Sequence, residues 1–280
     1  MTFKPPRRPP GNRSHLERLV QALSVEEGIA ADRLRRWVSV QVLLGALGRD
    51  DDDDARRFLL KGGVAMELRL RLRARATRDV DILVLTDEEA DLIETLQDAL
   101  EEPYLNFGFR IARIQSIENT PAQRMDVKMT YRGRPWATLR LEASPPGAER
   151  TEAEEISAFS LTQLGLEGPE QVACQSLRYQ MATKLHAVTE RFEAGENDRF
   201  RDLIDLLLLR DLQPDIAHVA EACRDVFEAR AKQPWPPLLS AEPSWPEQYR
   251  ALAIEQGFAI QNVADAADLV QALIEEIAAA

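Results

Sequence analysis

A glycine pair followed by an Asp-x-Asp motif constrains this chain more than any other feature of its sequence. Gly62 and Gly63 follow an apolar segment, and after fifteen intervening residues Asp79 and Asp81 open a buried-strand pattern over residues 80–85. Successive side chains of a strand point to opposite faces, so the two aspartates share one face, about 6 to 7 Å apart along the backbone. The pattern predicts a strand that presents two carboxylates, preceded by a strand-to-helix turn at the glycines.

Paired carboxylates and a glycine turn together suit a triphosphate site. Two carboxylates on one face can share divalent ions, of which one activates an attacking hydroxyl and the other stabilises leaving pyrophosphate. Glycines let phosphate oxygens approach backbone N–H groups at a helix N-terminus. The sequence has no GxxxxGK[ST] and no GxGxxG after a strand, which excludes the P-loop and the dinucleotide fingerprint.

The remaining patterns predict a mixed sheet followed by helices. Two helices are expected over residues 14–47, one after the glycine pair and one over 87–100. Strands are expected over 109–117, 124–131 and 136–143, with a turn at Arg132-Gly133 joining the last two. Beyond a polar segment that ends near residue 155, helices are expected over 172–190, 199–212, 216–231, 245–255 and 265–280. The chain is therefore predicted to be α/β (α+β), with a helical C-terminal domain.

The net charge of -12 opposes binding to nucleic acid, but its distribution is uneven. Residues 56–78 contain eight Lys or Arg and one acid, Glu67. This segment either forms a basic surface or pairs with acids from the other half of the chain. The five adjacent aspartates at 50–54 are predicted to be a solvated loop, because like charges repel.

Other features bear on compartment and on metal binding. No segment approaches 18 consecutive uncharged apolar residues, and residues 1–12 lack the apolar stretch of a secretory signal. Cys174 and Cys223 show no CxxC spacing, and His15, His186 and His218 show no metal spacing. We expect a cytoplasmic protein that does not enter a membrane, with these histidines on the surface or in helix packing and His186 a weak site candidate.

Two pairs of segments resemble a known family. Residues 58–65 (FLLKGGVA) and 75–81 (RATRDVD), and then residues 181–187 (MATKLHA) and 197–206 (NDRFRDLIDL), resemble the AbiEii/AbiGii toxin family of nucleotidyltransferases. The helical opening over residues 14–47 is similar to the layout of that family. The chain departs from it at Gly63, where the family often has serine, and at Thr183, which replaces an acid that is common before the lysine.

The resemblance implies a DNA polymerase β-like nucleotidyltransferase fold. Residues 1–13 would be a flexible extension, 14–155 the nucleotidyltransferase domain with N-terminal helices, and 156–280 the helical C-terminal domain. The implied substrate is an NTP and the implied cofactor is Mg²⁺. The metal would be held by Asp79, Asp81 and a third carboxylate, for which Glu142 is preferred over Asp126.

The resemblance also implies a nucleotide site. The nucleotide would be bound by Lys61, Gly62, Gly63, Arg78 and Lys184. Lys184 would contact the triphosphate, and Asp202 would help to place the nucleotide or the basic groups around it. As an alternative, Arg201, Asp202 and Asp205 could form pairs within one helix.

The activity that the resemblance implies is that of the toxin of a bacterial toxin–antitoxin, abortive-infection type system. It would transfer NMP to an acceptor hydroxyl at the 3′ end of a tRNA or on another RNA and so block translation. A separate antitoxin would be its partner. The alternatives are transfer to a protein hydroxyl and a non-catalytic binding or antitoxin-like module.

Overall fold

The computed structural model describes residues 5–49, 56–74, 77–85, 91–118, 120–192 and 195–280. The chain forms two compact units, each of which is described by itself. The first consists of Met1–Arg69, Ala76–Pro145 and Glu155–Cys174, and the second of Leu70–Arg75, Pro146–Glu154 and Gln175–Ala280. The aspartate run at residues 50–54 lies outside the described residues.

A mixed sheet is the centre of the first unit. Its strands are β1 (Phe58–Lys61), β2 (Asp79–Val84), β3 (Phe107–Ser116), β4 (Gln123–Tyr131), β5 (Arg134–Ser144), β6 (Ala153–Ser157) and β7 (Gln171–Gln175). They lie in the order β3-β4-β5-β2-β1-β7-β6. Strand β2 is parallel to β5 and antiparallel to β1, so it lies in the middle of the sheet. The strand that carries the Asp-x-Asp motif is therefore flanked on both sides.

The three strands predicted from alternating patterns are present as β3, β4 and β5, and the structure pairs them as an antiparallel meander. The predicted turn at Arg132-Gly133 is confirmed: both residues have positive φ, 49° and 76°. This is the backbone geometry of a tight hairpin turn whose twist matches that of the flanking strands. The hairpin fixes the register in which β5 runs beside β2.

Four helices cover the sheet of the first unit within its described residues: α1 (Arg13–Glu27), α2 (Ala31–Leu47), α3 (Gly62–Leu70) and α4 (Leu92–Glu101). Helix α1 begins at Asn12, whose side chain accepts a hydrogen bond from the His15 amide, and ends at Gly28 in the left-handed conformation. Helix α2 packs against β5 and α4. The predicted helices over residues 14–47 and after the glycine pair are thus confirmed.

The core of the first unit lies on one face of the sheet. Along β2, Val80, Ile82 and Val84 are fully buried, and Leu60 of β1 joins them. Alternation leaves Asp79 and Asp81 on the opposite face, where both are only partly buried. Burial of the apolar residues fixes the register, because a slip of one residue would place the aspartates in the core.

The N-terminal segment contacts the hairpin turn within its described part. The Tyr131 hydroxyl donates to the Pro10 carbonyl at 2.6 Å, and Arg132 Nε donates to the same oxygen at 3.1 Å. Pro10 is buried. These two bonds hold the end of the segment beside the β4–β5 hairpin.

The second unit contains five helices among its described residues, as the C-terminal pattern predicts: α5 (Leu177–Thr189), α6 (Phe200–Arg210), α7 (Ile216–Arg230), α8 (Trp245–Glu255) and α9 (Val263–Ala278). Helix α5 packs on α6 and α7, and α9 packs on α6, α7 and α8. None of the helices in the described residues has the length and apolar character needed to cross a membrane.

The helix predicted over residues 172–190 is wrong in its first part. Residues Gln171–Gln175 form β7, which runs parallel to β1 with Leu60 opposite Cys174. Val172 and Cys174 alternate into the core of the sheet, a period of two that a helix cannot satisfy. Helix α5 starts only at Leu177, after this strand ends.

Candidate active site

The turn between β1 and α3 brings backbone close to the Asp-x-Asp strand. Gly62 begins α3 with φ of +63°, a conformation that L side chains rarely adopt. A Cβ atom added at Gly62 would overlap the Asp81 carboxylate, and one added at Gly63 would lie 2.6 Å from Thr77 Oγ1. Both glycines are therefore required by the close approach of this turn to the strand.

Asp81 lies beside Glu142 on the polar face of the sheet. The two residues are register partners on the parallel strands β2 and β5, and Asp79 is the partner of Arg140. Partners in adjacent strands project to the same face and are about 5 Å apart. The sheet therefore brings the Asp-x-Asp pair together with Glu142.

Burial raises the pKa of the Asp81 carboxyl, and the charges of Glu142 and Asp79 raise it further. Lys61 and a hydrogen bond from the Gly63 amide act in the opposite direction on that pKa. Three carboxylates thus share a small region with one ammonium group. A cation bound there would relieve their mutual repulsion.

Arginines lie next to two of these carboxylates. Arg124 Nη2 donates to Glu142 Oε2 at 3.1 Å, and Arg140 Nε lies 3.6 Å from Asp79 Oδ1. Asp79 Oδ1 is buried and accepts no hydrogen bond from the described residues. It is an acceptor aimed into the site that a cation or a donor could satisfy.

The rival third carboxylate, Asp126, is on the same face but farther away. Asp126 is on β4, where it lies opposite Arg140 of β5. Strand β4 is two strands from β2, so the distance between Asp126 and β2 is about 10 Å. Its oxygen is 3.4 Å from Arg113 Nη1. The register therefore makes Glu142, and not Asp126, the neighbour of Asp81.

The donor set suits a hard divalent cation, although its side chains are not arranged as a finished metal centre. Carboxylate oxygens are the ligands that Mg²⁺ prefers. Among the described residues, no group of three or more His, Cys, Asp or Glu side chains is placed so that it could hold a metal ion. The like-charged pair Asp81 and Glu142 and the unsatisfied oxygen of Asp79 fit such a cation.

Lys61 and Arg78 flank the carboxylates in different ways. Lys61 is the register partner of Asp81 on β1, and its ammonium donates to Ser144 Oγ at 2.7 Å. Arg78 is exposed immediately before β2. Ser144 follows Glu142 by two residues, so the period-two pattern of β5 is the sequence signal that could have identified it.

Glu67 is a buried acid that contacts the segment before β2, and the sequence analysis did not assign it to the site. Glu67 of α3 is 2% exposed and accepts from Trp37 Nε1 at 2.8 Å and from the Thr77 amide at 2.9 Å. Arg36 Nη1 donates at 3.4 Å to Glu67 Oε1, the same oxygen that accepts from the Thr77 amide. Burial lowers the pKa of Arg36, while the charges of Glu67 and Asp79 raise it. Glu67 thus anchors the segment that ends at Asp79.

The second unit contains Lys184 and Asp202 in one ion cluster. Lys184 Nζ donates to Asp202 Oδ1 at 2.5 Å and to Asp205 Oδ2 at 2.7 Å. Burial lowers the pKa of Lys184, but the two carboxylates outweigh it and the pKa is raised. Asp202 and Asp205 thus bind a lysine of another helix, and Asp205 is a member of this cluster that the sequence analysis did not choose.

The basic segment over residues 56–78 is partly neutralised. Arg56 pairs with Glu155 at 2.6 Å, and Arg73 pairs with Asp211 at 2.5 Å. For these two arginines the interpretation as partners of later acids is confirmed. Arg75 lies outside the described residues.

His186 is a core residue of the second unit. It is buried, and its ring contacts the Phe227 ring at 5.0 Å between centroids. Burial, with the charge of Arg230, lowers the pKa of His186 to about 4. A neutral imidazole packed against an aromatic ring matches the helix-packing role expected for it.

Comparison with known proteins identifies the family. No curated protein sequence matches the chain. The solved structure of MenT4, a nucleotidyltransferase toxin from Mycobacterium tuberculosis H37Rv, covers 93% of this chain and 89% of its own, with 18% identity and a TM-score of 0.60. The solved structure of the antibiotic-resistance factor ANT(2'')-Ia covers 69% of this chain and 94% of its own, with 14% identity and a TM-score of 0.40.

The likeness to MenT4 shows a shared fold, which agrees with the predicted α/β architecture. The profile of one family, described as "Nucleotidyl transferase AbiEii toxin, Type IV TA system", matches residues 45–273. That span includes the glycine turn, both strands of site carboxylates and the Lys184 cluster. The chain belongs to the AbiEii nucleotidyl transferase toxin family of type IV toxin–antitoxin systems.

Proposed function

We propose that the chain transfers NMP from an NTP to a hydroxyl at the 3′ end of a tRNA, with Mg²⁺ bound by Asp79, Asp81 and Glu142. The observation that supports this most is the register that sets Asp81 beside Glu142, with Gly62 backbone directly against the Asp81 carboxylate. Asp79, Asp81 and Glu142 would hold the cation, and the turn at Gly62 would bind the triphosphate beside them.

The proposed reaction is a displacement at the α-phosphorus. The acceptor oxygen forms a bond to that phosphorus, the bond to the bridging oxygen breaks, and pyrophosphate leaves with the electron pair. The proton of the acceptor hydroxyl passes to a carboxylate of the site. Bound Mg²⁺ would supply positive charge to the triphosphate and to the attacking oxygen.

The remaining residues would bind and orient the nucleotide. The turn at Gly62 and Gly63 would let phosphate oxygens approach the N-terminus of α3, where the Gly63 amide donates to Asp81. Lys61, held by Ser144, and the exposed Arg78 would neutralise phosphate charge. These groups act by position and electrostatics and need no change of their own covalent structure.

Lys184 would bind a phosphate of the NTP, and Asp202 would help to place the basic groups around the nucleotide. The Lys184 ammonium already bonds two carboxylates. A triphosphate that recruits Lys184 has to compete with Asp202 and Asp205, so Asp202 would determine how readily the lysine is released. This gives Asp202 a role through Lys184 and not through the nucleotide itself.

Modification of tRNA 3′ ends would block aminoacylation and stop translation in the cytoplasm, which is the proposed toxic activity. A toxin of this kind needs a separate antitoxin as its partner. Transfer to a protein hydroxyl and a non-catalytic binding role are the competing functions, and they predict different destinations for the nucleotide.

The test is an incubation of the purified chain with total tRNA, Mg²⁺ and each of four α-labelled NTPs, with RNA resolved from protein. The Asp79→Ala/Asp81→Ala variant is the matched control. Label on RNA that disappears in the variant supports the proposal and names the nucleotide. Label on protein would show that the acceptor is a protein hydroxyl. Absence of label from both RNA and protein would support the non-catalytic binding role.

A further inference from the structure

The meander of β3, β4 and β5 has one apolar face and one polar face. On β4, Met125, Val127 and Met129 are buried, whereas the side chains that alternate with them are partly exposed. We call the exposed side the polar sheet face, and it carries Arg110, Arg113, Arg124, Asp126, Lys128 and Arg140. None of these side chains contributes to the apolar core, and two of them, Arg110 and Lys128, also form no ion pair with a described residue.

The polar sheet face is continuous with the carboxylates Asp79 and Asp81 on β2, as the pairing of the strands shows. Arg110 lies opposite Lys128, and Asp126 lies opposite Arg140. Arg140 in turn lies opposite Asp79. The strand spacing places Lys128 about 10 Å and Arg110 about 14 Å from β2. A strand of a few nucleotides spans that distance.

The charges of this face are unusual for so acidic a chain. On this face, strands β3, β4 and β5 carry five Lys or Arg and two acids, Asp126 and Glu142. Three of the arginines pair with acids, Arg124 with Glu142, Arg140 with Asp79 and Arg113 with Asp126, which leaves Arg110 and Lys128 without an ion pair among the described residues. The net charge of the whole chain is -12, so this face is a local region of opposite sign.

Arg110 and Lys128 are like charges placed directly opposite each other, an arrangement that destabilises an antiparallel pair. Within the part of the chain that the structure describes, neither side chain makes an ion pair. A polyanion lying across the two strands would neutralise both charges together. The pair is therefore explained by a ligand and not by the fold.

We infer that the polar sheet face binds the phosphate backbone of the RNA acceptor and guides its 3′ hydroxyl toward Asp79 and Asp81. This inference rests on the proposed function. The aromatic side chains of the meander offer no stacking surface here, because Phe107, Tyr131 and Trp136 are buried on the other side and Phe109 lies opposite Met129 on that same side. Binding through phosphates alone carries no sequence information, so this face contributes affinity and not base preference.

The direct test measures binding of a fluorescently labelled single-stranded RNA of about ten nucleotides with a free 3′ hydroxyl to the full chain, without NTP, at several salt concentrations. Arg110→Ala/Lys128→Ala is the test variant. Arg224→Ala/Arg250→Ala removes the same charge from exposed positions on α7 and α8 and is the matched control.

We expect the test variant to bind about tenfold more weakly and its salt slope to fall by about 1.4, since each phosphate contact to a single strand contributes about 0.7. The control variant is expected to stay within about twofold of the wild type, and Arg110→Lys/Lys128→Arg to retain binding, because charge alone is required. Equal affinity and equal salt slope for the test variant and the wild type would overturn the inference.

Transfer assays separate this inference from the proposed function. If both hold, the test variant shows a raised KM for RNA and an unchanged KM for NTP. If the wild type binds RNA through this face but places no label on it, the transfer proposal fails and the surface stands. If the wild type binds no RNA, the surface inference is overturned, whatever the transfer assay shows.

Discussion

Asp81 and Glu142 are register partners on the parallel strands β2 and β5, and the Glu142 charge helps burial to raise the pKa of Asp81. Two carboxylates placed side by side in a sheet destabilise it unless a cation lies between them. This unfavourable pair lies where the turn at Gly62 contacts Asp81 of β2. Conflict between stability and local charge is expected at functional sites.

Gly62→Ala is expected to disrupt the site more than the fold. The positive φ and a Cβ that overlaps the Asp81 carboxylate should lower the free energy of unfolding by about 1 to 3 kcal/mol and transfer by at least about tenfold. Gly133→Ala is the matched control, because Gly133 also has positive φ but nothing lies within 4 Å of its added Cβ. It should lose about 1 kcal/mol and keep full transfer. Equal transfer by both variants would contradict this account of the turn.

Glu142→Gln should lower the rate of nucleotide transfer by about a hundredfold or more, because the carboxylate beside Asp81 is lost. Asp126→Asn removes the same charge from the same sheet face two strands away and should stay within about threefold. Initial rates at saturating NTP measure both. The reverse order of effects would make Asp126 the third carboxylate.

Glu67→Gln should lower the free energy of unfolding by about 1 to 3 kcal/mol, measured by chemical denaturation. An amide has one oxygen, so one of the buried donors, Trp37 Nε1 or the Thr77 amide, loses its acceptor. The approach to Asp79 is then loosened, and transfer should fall as well. Trp37→Phe removes the indole donor and part of the ring that stacks on Phe159, and it should cost about 1 to 2 kcal/mol with transfer nearly unchanged. A fully stable Glu67→Gln would show that the buried acid is not needed.

Lys184→Met should lower the free energy of unfolding by about 3 to 5 kcal/mol, because the buried carboxylates of Asp202 and Asp205 both lose the Lys184 ammonium. The triple variant Lys184→Met/Asp202→Asn/Asp205→Asn should recover most of the lost free energy of unfolding. The pKa of Lys184 is raised, so its contribution is complete below the ordinary pKa and is lost only as pH rises through the raised value. Stability at neutral pH should therefore not respond to this lysine's titration. A loss below about 1 kcal/mol would argue against a structural ion cluster.

Much of the fold followed from local patterns. The alternation of β4 and β5, the Arg132-Gly133 turn and the apolar helix faces are each readable within a few residues. Strand β7 was missed because a five-residue strand that pairs with a distant strand has no local signature to separate it from the helix that follows.

The site was readable only in part, for the same reason. Asp79 and Asp81 were found from strand alternation, but the parallel pairing that brings Glu142 to Asp81 depends on contacts sixty-one positions apart in the chain. Glu67 looked like a lone acid among bases, and only packing against Trp37 reveals it as a buried acceptor. The Lys184 cluster likewise depends on two helices meeting.

The most direct test of the central claim is the rate at which Asp81→Asn transfers labelled NMP to RNA, measured beside its thermal unfolding. Asparagine keeps the shape and removes one of two adjacent negative charges that are partly buried, so the melting temperature should be unchanged or higher. Transfer should fall by at least about a hundredfold. A variant that folds as well as the wild type and still transfers NMP at a comparable rate would contradict the assignment of this sheet face as the catalytic site.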